Sequence, residues 1–359
     1  MKYIVTGAAG HLGVNLVGKI MLKKDAIVKA VLLPGESAVF EGAENVEIVR
    51  GDVTDRKFLE SVIEKDSTVI HLAGIIDICA GNKDRVYQVN VEGTKNVAEV
   101  SLEKGVARFV YTSSVHVIPP QNGVKMTEPL SFDPDGIVGD YAKSKTIATK
   151  AVFDAIGRGL NGVVVYPSGI IGPEDYRVSE MGELFVEIVN RKIRISLKGG
   201  YDFADVRDVA DGILAAAEKG KAGEGYILSG ESVTVDRIYA AVRQVTGEKK
   251  HAPKIAMWFV RLFAFPMELF ARICGKKPLF TKYSLYTISA PHEFSHEKAT
   301  KELNYSPRPP EESIRDAIRW FYLNKPELFN EKALARLKKA FGPSSVRKPV
   351  MTKKAYKSQ

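Results

Sequence analysis

The stretch GDYAKSK (139–145) sets Tyr141 four positions before Lys145. On a helix, residues four apart share a face, with Cβ atoms about 5–6 Å apart. A phenol with a pKa of about 10 is a poor proton carrier near neutrality. An ammonium fixed about 4 Å away, at an effective dielectric of about 20, is worth roughly 4 kcal/mol. That is enough to bring a phenol towards the range where general acid–base catalysis works best. No other tyrosine in the chain has a lysine four positions on. A hydroxyl completes the set in VYTSSVHV (110–117), where Ser114, with Ser113 as its immediate rival, stands just past a predicted strand. There it can donate a hydrogen bond to a substrate carbonyl oxygen.

A second group of residues suits a dinucleotide. VTGAAGHLG (5–13) follows a predicted strand and opens a helix, with Gly7, Gly10 and Gly13 spaced GxxGxxG. The first glycine permits the tight turn, the second admits a pyrophosphate to the backbone amides, and the third lets helix pack on sheet. The helix N-terminus adds free N–H groups and partial positive charge. RGDVTD places Asp52 after a strand, where it can accept from an adenine amino group, and HLAG (71–74) places small residues beside the cofactor. An acid or an arginine at the end of the second strand normally separates NAD from NADP. Here AVLLPGES puts Leu33 at that point; Glu36 could reach a ribose, Lys23 and Lys24 are not obviously placed, and both cofactors stay open.

These residues need a parallel sheet to hold them. Strands are predicted at 2–6, 27–33, 46–50, 68–73, 108–113 and 162–167, with helices near 12–24, 55–65, 84–104 and 140–157 between them. Such alternation is the signature of βαβ units. The near-continuous apolar run GVVVYP implies burial on both faces. The fold class is therefore α/β, a doubly wound parallel Rossmann sheet with a smaller, mostly helical C-terminal substrate-binding domain. We assign 1–170 to the dinucleotide domain, with 200–246 partly returning to it through a strand in GYILSG (225–230) and a helix in VDRIYAAVRQVTG. Residues 171–199 and 247–325 form the cap, including a proline-started helix in 306–322, and 326–359 form a basic helix and disordered tail.

Bulk properties narrow the function. The chain has 359 residues and a net charge of +9, but nine of its Lys and Arg and a single acid lie beyond residue 330. The body is nearly neutral, which argues against a nucleic-acid partner. Two distant cysteines, Cys79 and Cys274, suit a reducing cytoplasm and argue against a structural metal site. The most apolar stretch, 255–274, is broken by Arg261, Pro266, Glu268 and Arg272, so a spanning helix is disfavoured. The basic segment 330–342 is a terminal solvated helix with a possible peripheral role on an anionic membrane.

In this order, TGxxGxxG, an Asp after the third strand, a TSS strand end, YxxxK and YPSGIIGP resemble the extended short-chain dehydrogenase/reductase superfamily. VNVEGTKNVAE (89–99), FADVRDVADGILAA (203–216) and YSPRP (305–309) extend the likeness over roughly residues 2–322. The chain is most similar to dihydroflavonol-reductase-like and 3β-hydroxysteroid-dehydrogenase-like members, and also resembles hopanoid-associated sugar epimerases. The resemblance implies Ser114 as carbonyl-orienting donor, Tyr141 as acid/base and Lys145 as its activator and ribose anchor. It places Gly7, Gly10, His11, Leu12 and Gly13 at the pyrophosphate, Asp52 and Val53 at the adenine, and Leu72, Ala73 and Gly74 along the cofactor channel. Thr112, Pro167 and Ser168 fall on the nicotinamide side, and Asn90 at a family asparagine that braces the fold. Relatives more often carry an aromatic or aliphatic residue at His11. Ser113–Ser114 follow Thr112 where the 4,6-dehydratases carry Asp–Glu, which disfavours that chemistry. A homodimer through the 84–104 and 140–157 helices is also implied.

The expected reaction is reversible hydride transfer at a carbonyl or secondary alcohol of a small, hydrophobic molecule, bound by 75–82, 115–126, 171–200 and 255–296. The alternatives are a nucleotide-sugar epimerase with tightly held NAD and a non-catalytic dinucleotide-binding regulator. For the epimerase, Arg177, Arg191, Lys192, Arg194 and Lys198 are candidate diphosphate ligands.

Overall fold

The computed structural model describes residues 1–76, 82–249, 252–255 and 282–343. Cys79, Cys274, the apolar stretch 256–274 and the tail beyond residue 343 lie outside the described residues. Twelve strands are described: β1 (Lys2–Thr6), β2 (Ile27–Leu32), β3 (Val46–Arg50), β4 (Thr68–His71), β5 (Arg108–Thr112), β6 (Gly162–Pro167), β7 (Gly169–Ile171), β8 (Ser196–Leu197), β9 (Gly200–Asp205), β10 (Gly225–Leu228), β11 (Glu231–Thr234) and β12 (Lys254–Ile255). Seven of them form one parallel sheet in the order β10-β6-β5-β4-β1-β2-β3. The expected doubly wound Rossmann sheet is present.

The strand order reverses between β1 and β4, so the loops that follow them diverge and leave a crevice at the carboxyl edge. Every residue of β6 is buried, as its apolar run requires, because helices cover both faces. On one face α1 (His11–Met21) and α7 (Val206–Lys219) bring Leu16, Val17, Ile20, Val209 and Ile213 onto Val5, Val28 and Val163. On the other, α4 (Thr94–Lys104) and α5 (Asp140–Gly157) bring Val97, Val100, Ala148 and Val152 onto Ile4, Val69 and Phe109. A third cluster holds the second body, where Phe185, Val186 and Val189 of α6 (Glu180–Val189) meet Ile314, Ile318 and Phe321 of a helix at Pro310–Asn324. That body also contains the small sheet β11-β9-β7 and the pair β12-β8.

The structure differs from the sequence reading in three elements. The helix predicted over 84–104 is broken into α3 (Lys83–Tyr87), a π-helical turn at Gln88–Gly93 and α4. The helix at 235–247, α8 (Val235–Thr246), does not return to the large sheet. Its apolar face, Ile238, Tyr239, Ala241 and Val242, packs in the second body, because the sheet face is already filled by α1 and α7. The basic helix Glu331–Phe341 buries Ala333 and Leu337 in the same cluster, so its apolar stripe is spent on the protein itself. Asn330 caps that helix, accepting from Ala333 N–H at 2.9 Å, while Asn190 receives its backbone N–H at 2.8 Å.

One clasp joins the chain's distant parts. Arg308, just before the Pro310 helix, forks onto Asp208 of α7, with Nη2 donating at 2.7 Å and Nε at 3.0 Å. Its backbone N–H donates to the same carboxylate at 2.7 Å. No helix among the described residues is long and apolar enough to cross a membrane.

Candidate active site at the switch point of the sheet

The glycine loop fits a dinucleotide in its own geometry. Gly7 sits at φ +69, and a Cβ there would lie 2.8 Å from Ala73 N; one at Gly13 would lie 2.3 Å from the Gly7 carbonyl. Only glycine allows the chain to come this close. Gly10 precedes α1 with no side-chain cap and no acid in the first turn, so the leading amides, those of His11 and Leu12 among them, face the crevice with their partial positive charge uncompensated by the protein. His11 turns its Nε2 to the Pro173 carbonyl at 2.8 Å, tying the loop to the segment after β7.

A buried polar ladder lies beneath. Thr6 and His71 are register partners on β1 and β4. The Thr6 hydroxyl accepts from Ala73 N–H at 3.2 Å and shares a 2.7 Å hydrogen bond with His71 Nδ1, and His71 Nε2 shares one of 3.0 Å with the Thr94 hydroxyl. Burial, aided by the Lys145 charge, holds His71 near 3, neutral at any working pH. Leu72 N–H donates to Thr6 O at 3.2 Å, fixing the channel residues. Asn90, in the π-helical turn, grips the same loop by accepting from Ile75 N–H at 2.7 Å and donating to Ile75 O and Ser144 at 3.0 Å. It braces loop and helix together, and a Cβ at Gly74 would stand 3.2 Å from its Oδ1 and 3.3 Å from Lys145 Nζ.

Asp52 is engaged on both oxygens. Oδ1 takes the Thr54 N–H and hydroxyl, and Oδ2 takes Arg85 Nη2 at 2.7 Å. Val53 beside it is buried against the π-helical turn at Gly93. At the end of β2, Glu36 accepts from Leu33 N–H at 3.0 Å and pairs with Arg177 at 2.5 Å. On the far side, Pro167 pairs with Leu228, Ser168 N–H donates to Leu228 O at 3.3 Å, and the buried Thr112 Oγ1 has no hydrogen-bond partner among the described residues.

Tyr141, Lys145, Ser113 and Ser114 are all buried where β5 and α5 meet. The two serines divide: Ser113 shares a 2.6 Å hydrogen bond with Thr149 inside α5, whereas Ser114 stands near enough to the Tyr141 phenol to counter part of the rise that burial causes there. Ser114 also accepts from His116 N–H at 3.2 Å. The expected direct tyrosine–lysine pairing is not present. Lys145 Nζ donates to Thr112 O at 2.9 Å and lies 5.0 Å from the centre of the Tyr111 ring. Sharing a helix face sets Cβ positions, but a four-carbon stem carries the ammonium to the nearest buried acceptor, here the open carbonyl at the end of β5. Burial lowers Lys145 to about 8, and burial raises Tyr141 above its ordinary value, with Ser114 acting against that rise.

Beside His116 and Ala142 lies a cavity of about 40 Å³, walled among the described residues by Val115, Ile118, Met126, Ile137 and Phe294, with Tyr201 also on its surface. His116 presents its ring edge to Tyr141 at 5.8 Å. The sequence reading had His116 only as part of the stretch 115–126, and Tyr201 not at all; nothing in the pattern of β9 marks a tyrosine that packs across to another domain segment.

The family profile described as the NAD dependent epimerase/dehydratase family matches residues 3–229. The chain belongs to that family. Sterol demethylase protein B of Methylococcus capsulatus is 28% identical over 328 residues, covering 89% of this chain and 98% of the relative. Human short-chain dehydrogenase/reductase family 42E member 1 is 27% identical over 352 residues, covering 89% and 86%. Among solved structures, gox2253 superposes with a TM-score of 0.79 at 29% identity, over 91% of this chain and 99% of that one. The UDP-glucose 4-epimerase of Thermotoga maritima gives 0.72 at 21% identity, over 90% and 99%, and shares the fold. The motif resemblance is thus borne out: this is an NAD-dependent epimerase/dehydratase-family enzyme with oxidoreductase or epimerase chemistry.

Proposed function

We propose that this family member is a dehydrogenase/reductase acting on a carbonyl or secondary alcohol of a small, uncharged, apolar substrate. The reading is supported chiefly by one arrangement: Tyr141, buried near Ser114, with the His116 ring between it and a cavity lined for the most part by apolar side chains. When bound, the nicotinamide cofactor supplies or accepts the hydride. Ser114 orients the substrate oxygen, and Tyr141 gives that oxygen its proton or takes it. Lys145, mostly protonated at pH 7, fixes the end of β5 and puts a positive charge beside Gly74 in the cofactor channel. The Gly7–Gly13 loop holds the pyrophosphate, with Thr112, Pro167 and Ser168 on the nicotinamide side. Glu36 favours a ribose hydroxyl over a 2′-phosphate, so NAD is the cofactor of this reading.

Of the five cations proposed for a nucleotide-sugar diphosphate, three are engaged in ion pairs: Arg177 with Glu36, Arg191 with Glu248, and Lys192 with Glu187. That weighs against an epimerase. The deciding experiment is dialysis of the purified protein followed by an assay with a panel of apolar ketones and reduced NAD. Exchangeable cofactor with ketone-dependent oxidation is expected; NAD retained through dialysis with no net oxidation would replace this reading with the epimerase. Assembly as a homodimer through α4 and α5 belongs to the same proposal, and a monomer by light scattering would remove it.

A further inference from the structure

The buried ammonium of Lys145 is supported by an aromatic ring. Its Nζ donates to Thr112 O at 2.9 Å, and among the described residues no carboxylate pairs with it. A charge without a counter-ion in so dry a place is costly, and the cost drives a lysine towards its neutral form. One carbonyl offsets only part of that cost. A second group within reach is Tyr111 of β5, itself fully buried. Its hydroxyl stands 3.5 Å from Nζ, too long for a strong hydrogen bond, but the ammonium lies over its ring, 5.0 Å from the centre. Ring faces attract cations within about 6 Å, most strongly where water is excluded. The ring is held in turn. His71 stacks on it at 5.7 Å with planes 22° apart, and His71 is tied to Thr6 of β1 and Thr94 of α4. The titratable groups facing this ammonium are thus the neutral His71 and the phenols of Tyr111 and Tyr141, which burial keeps protonated.

We propose that Tyr111 is a positioning residue: its ring face keeps Lys145 charged and holds the ammonium beside Gly74, where the charge serves the cofactor channel. This deepens the proposed function, and the part assigned to the channel rests on that reading. The hydroxyl is too distant to carry the effect, so the ring must. Attraction between a ring and a cation in a desolvated site is enough to move a lysine's titration by about one unit. Burial has already brought Lys145 to about 8, so a shift of that size decides whether the ammonium keeps its charge near neutrality.

The test varies the ring's charge and not its bulk. Tyr111→Phe, and the same position carrying 4-fluoro- or 3,4,5-trifluorophenylalanine by amber suppression, form a series in which fluorine drains the negative ring face. Lys145 is followed in the full-length protein by NMR of ¹³Cε-labelled lysine, its signal identified by its loss in Lys145→Met. Tyr111→Phe should titrate within about 0.3 units of the wild type and the trifluoro ring about one unit lower, with the monofluoro ring between them. Equal titration across the series, or a full-unit fall in Tyr111→Phe itself, would overturn the proposal. A ring that only fills space would not respond to fluorine, because the three phenylalanines are nearly the same size. Calorimetry of NAD binding across the same pH range separates the two readings. Affinity that weakens as Lys145 discharges, about a unit earlier in the trifluoro protein, supports both. If the NMR shifts appear while NAD affinity stays flat with pH, Lys145 loses its place in the cofactor channel and the hold of Tyr111 on its charge stands. If the NMR series is flat while NAD affinity still follows Lys145, only the Tyr111 assignment fails.

Discussion

At the scale of single residues, the chemistry of the site is set by what burial does to ionisable groups. Tyr141→Phe is expected to lower kcat by about 10²–10⁴-fold, the range typical of a lost general acid, with NAD affinity unchanged. Retained turnover in steady-state kinetics would remove Tyr141 from its role. A second residue carries a clear pH signature. Glu174 is 2% exposed, neither of its carboxylate oxygens has a hydrogen-bond partner among the described residues, and burial raises it to about 7 against the attraction of Arg207 and Lys19. A carboxyl whose folded pKa is raised makes the fold bind more protons than the unfolded chain between about 4.5 and 7, so stability falls as pH rises through that window. Glu174→Gln should therefore stabilise the protein by on the order of 3 kcal/mol above pH 7, with the gain vanishing near pH 4.5. Urea melts across that range check it; a gain independent of pH would contradict it. The residue types at Tyr141, Lys145 and Ser114 were legible from spacing. The route of the lysine stem was not, because it depends on an open carbonyl on a strand 33 residues away in sequence.

At the scale of elements, spacing rules located the strands and the glycine loop well, because period and turn chemistry are local. Each strand of the large sheet was anticipated within two residues at its ends, and β10 was expected on that sheet. Local pattern cannot say which of two cores an amphipathic helix joins, and so α8 was misplaced. Nor does composition mark the π-helical turn at Gln88–Gly93, whose extra residue aims Asn90 back at Ile75. The glycine loop offers the sharpest test at this scale. Gly13→Ala puts a carbon where the Gly7 carbonyl already stands, at 2.3 Å, so loop and helix must separate. NAD binding measured by calorimetry should fall at least tenfold, and unchanged affinity would show that the loop is not where the pyrophosphate lies.

At the scale of the whole molecule, the charge is as uneven as the sequence implies, but its partner is not evident in the fold. The helix Glu331–Phe341 turns its apolar residues inward and exposes Lys332, Lys338 and Lys339. Any attraction to anionic vesicles should therefore be purely electrostatic: flotation at low salt, lost by about 0.3 M, where the screening length is well under the ~10 Å it has at 0.1 M. Flotation that persists at high salt would point to apolar insertion. The clasp between Asp208 and Arg308 is the other global feature, and Asp208→Ala should cost about 2–4 kcal/mol because it leaves a half-buried guanidinium without its fork. A thermal midpoint unchanged within a degree would show the clasp to be incidental.

That clasp also sets an order of events during synthesis. The carboxylate at the start of α7 meets its arginine one hundred residues later, so the contact can close only after residue 308 has left the ribosome. Nascent chains arrested short of that point should remain open to proteolysis, and those arrested well past it should resist. The clasp is accordingly a contact that translation of the α7 segment alone cannot supply.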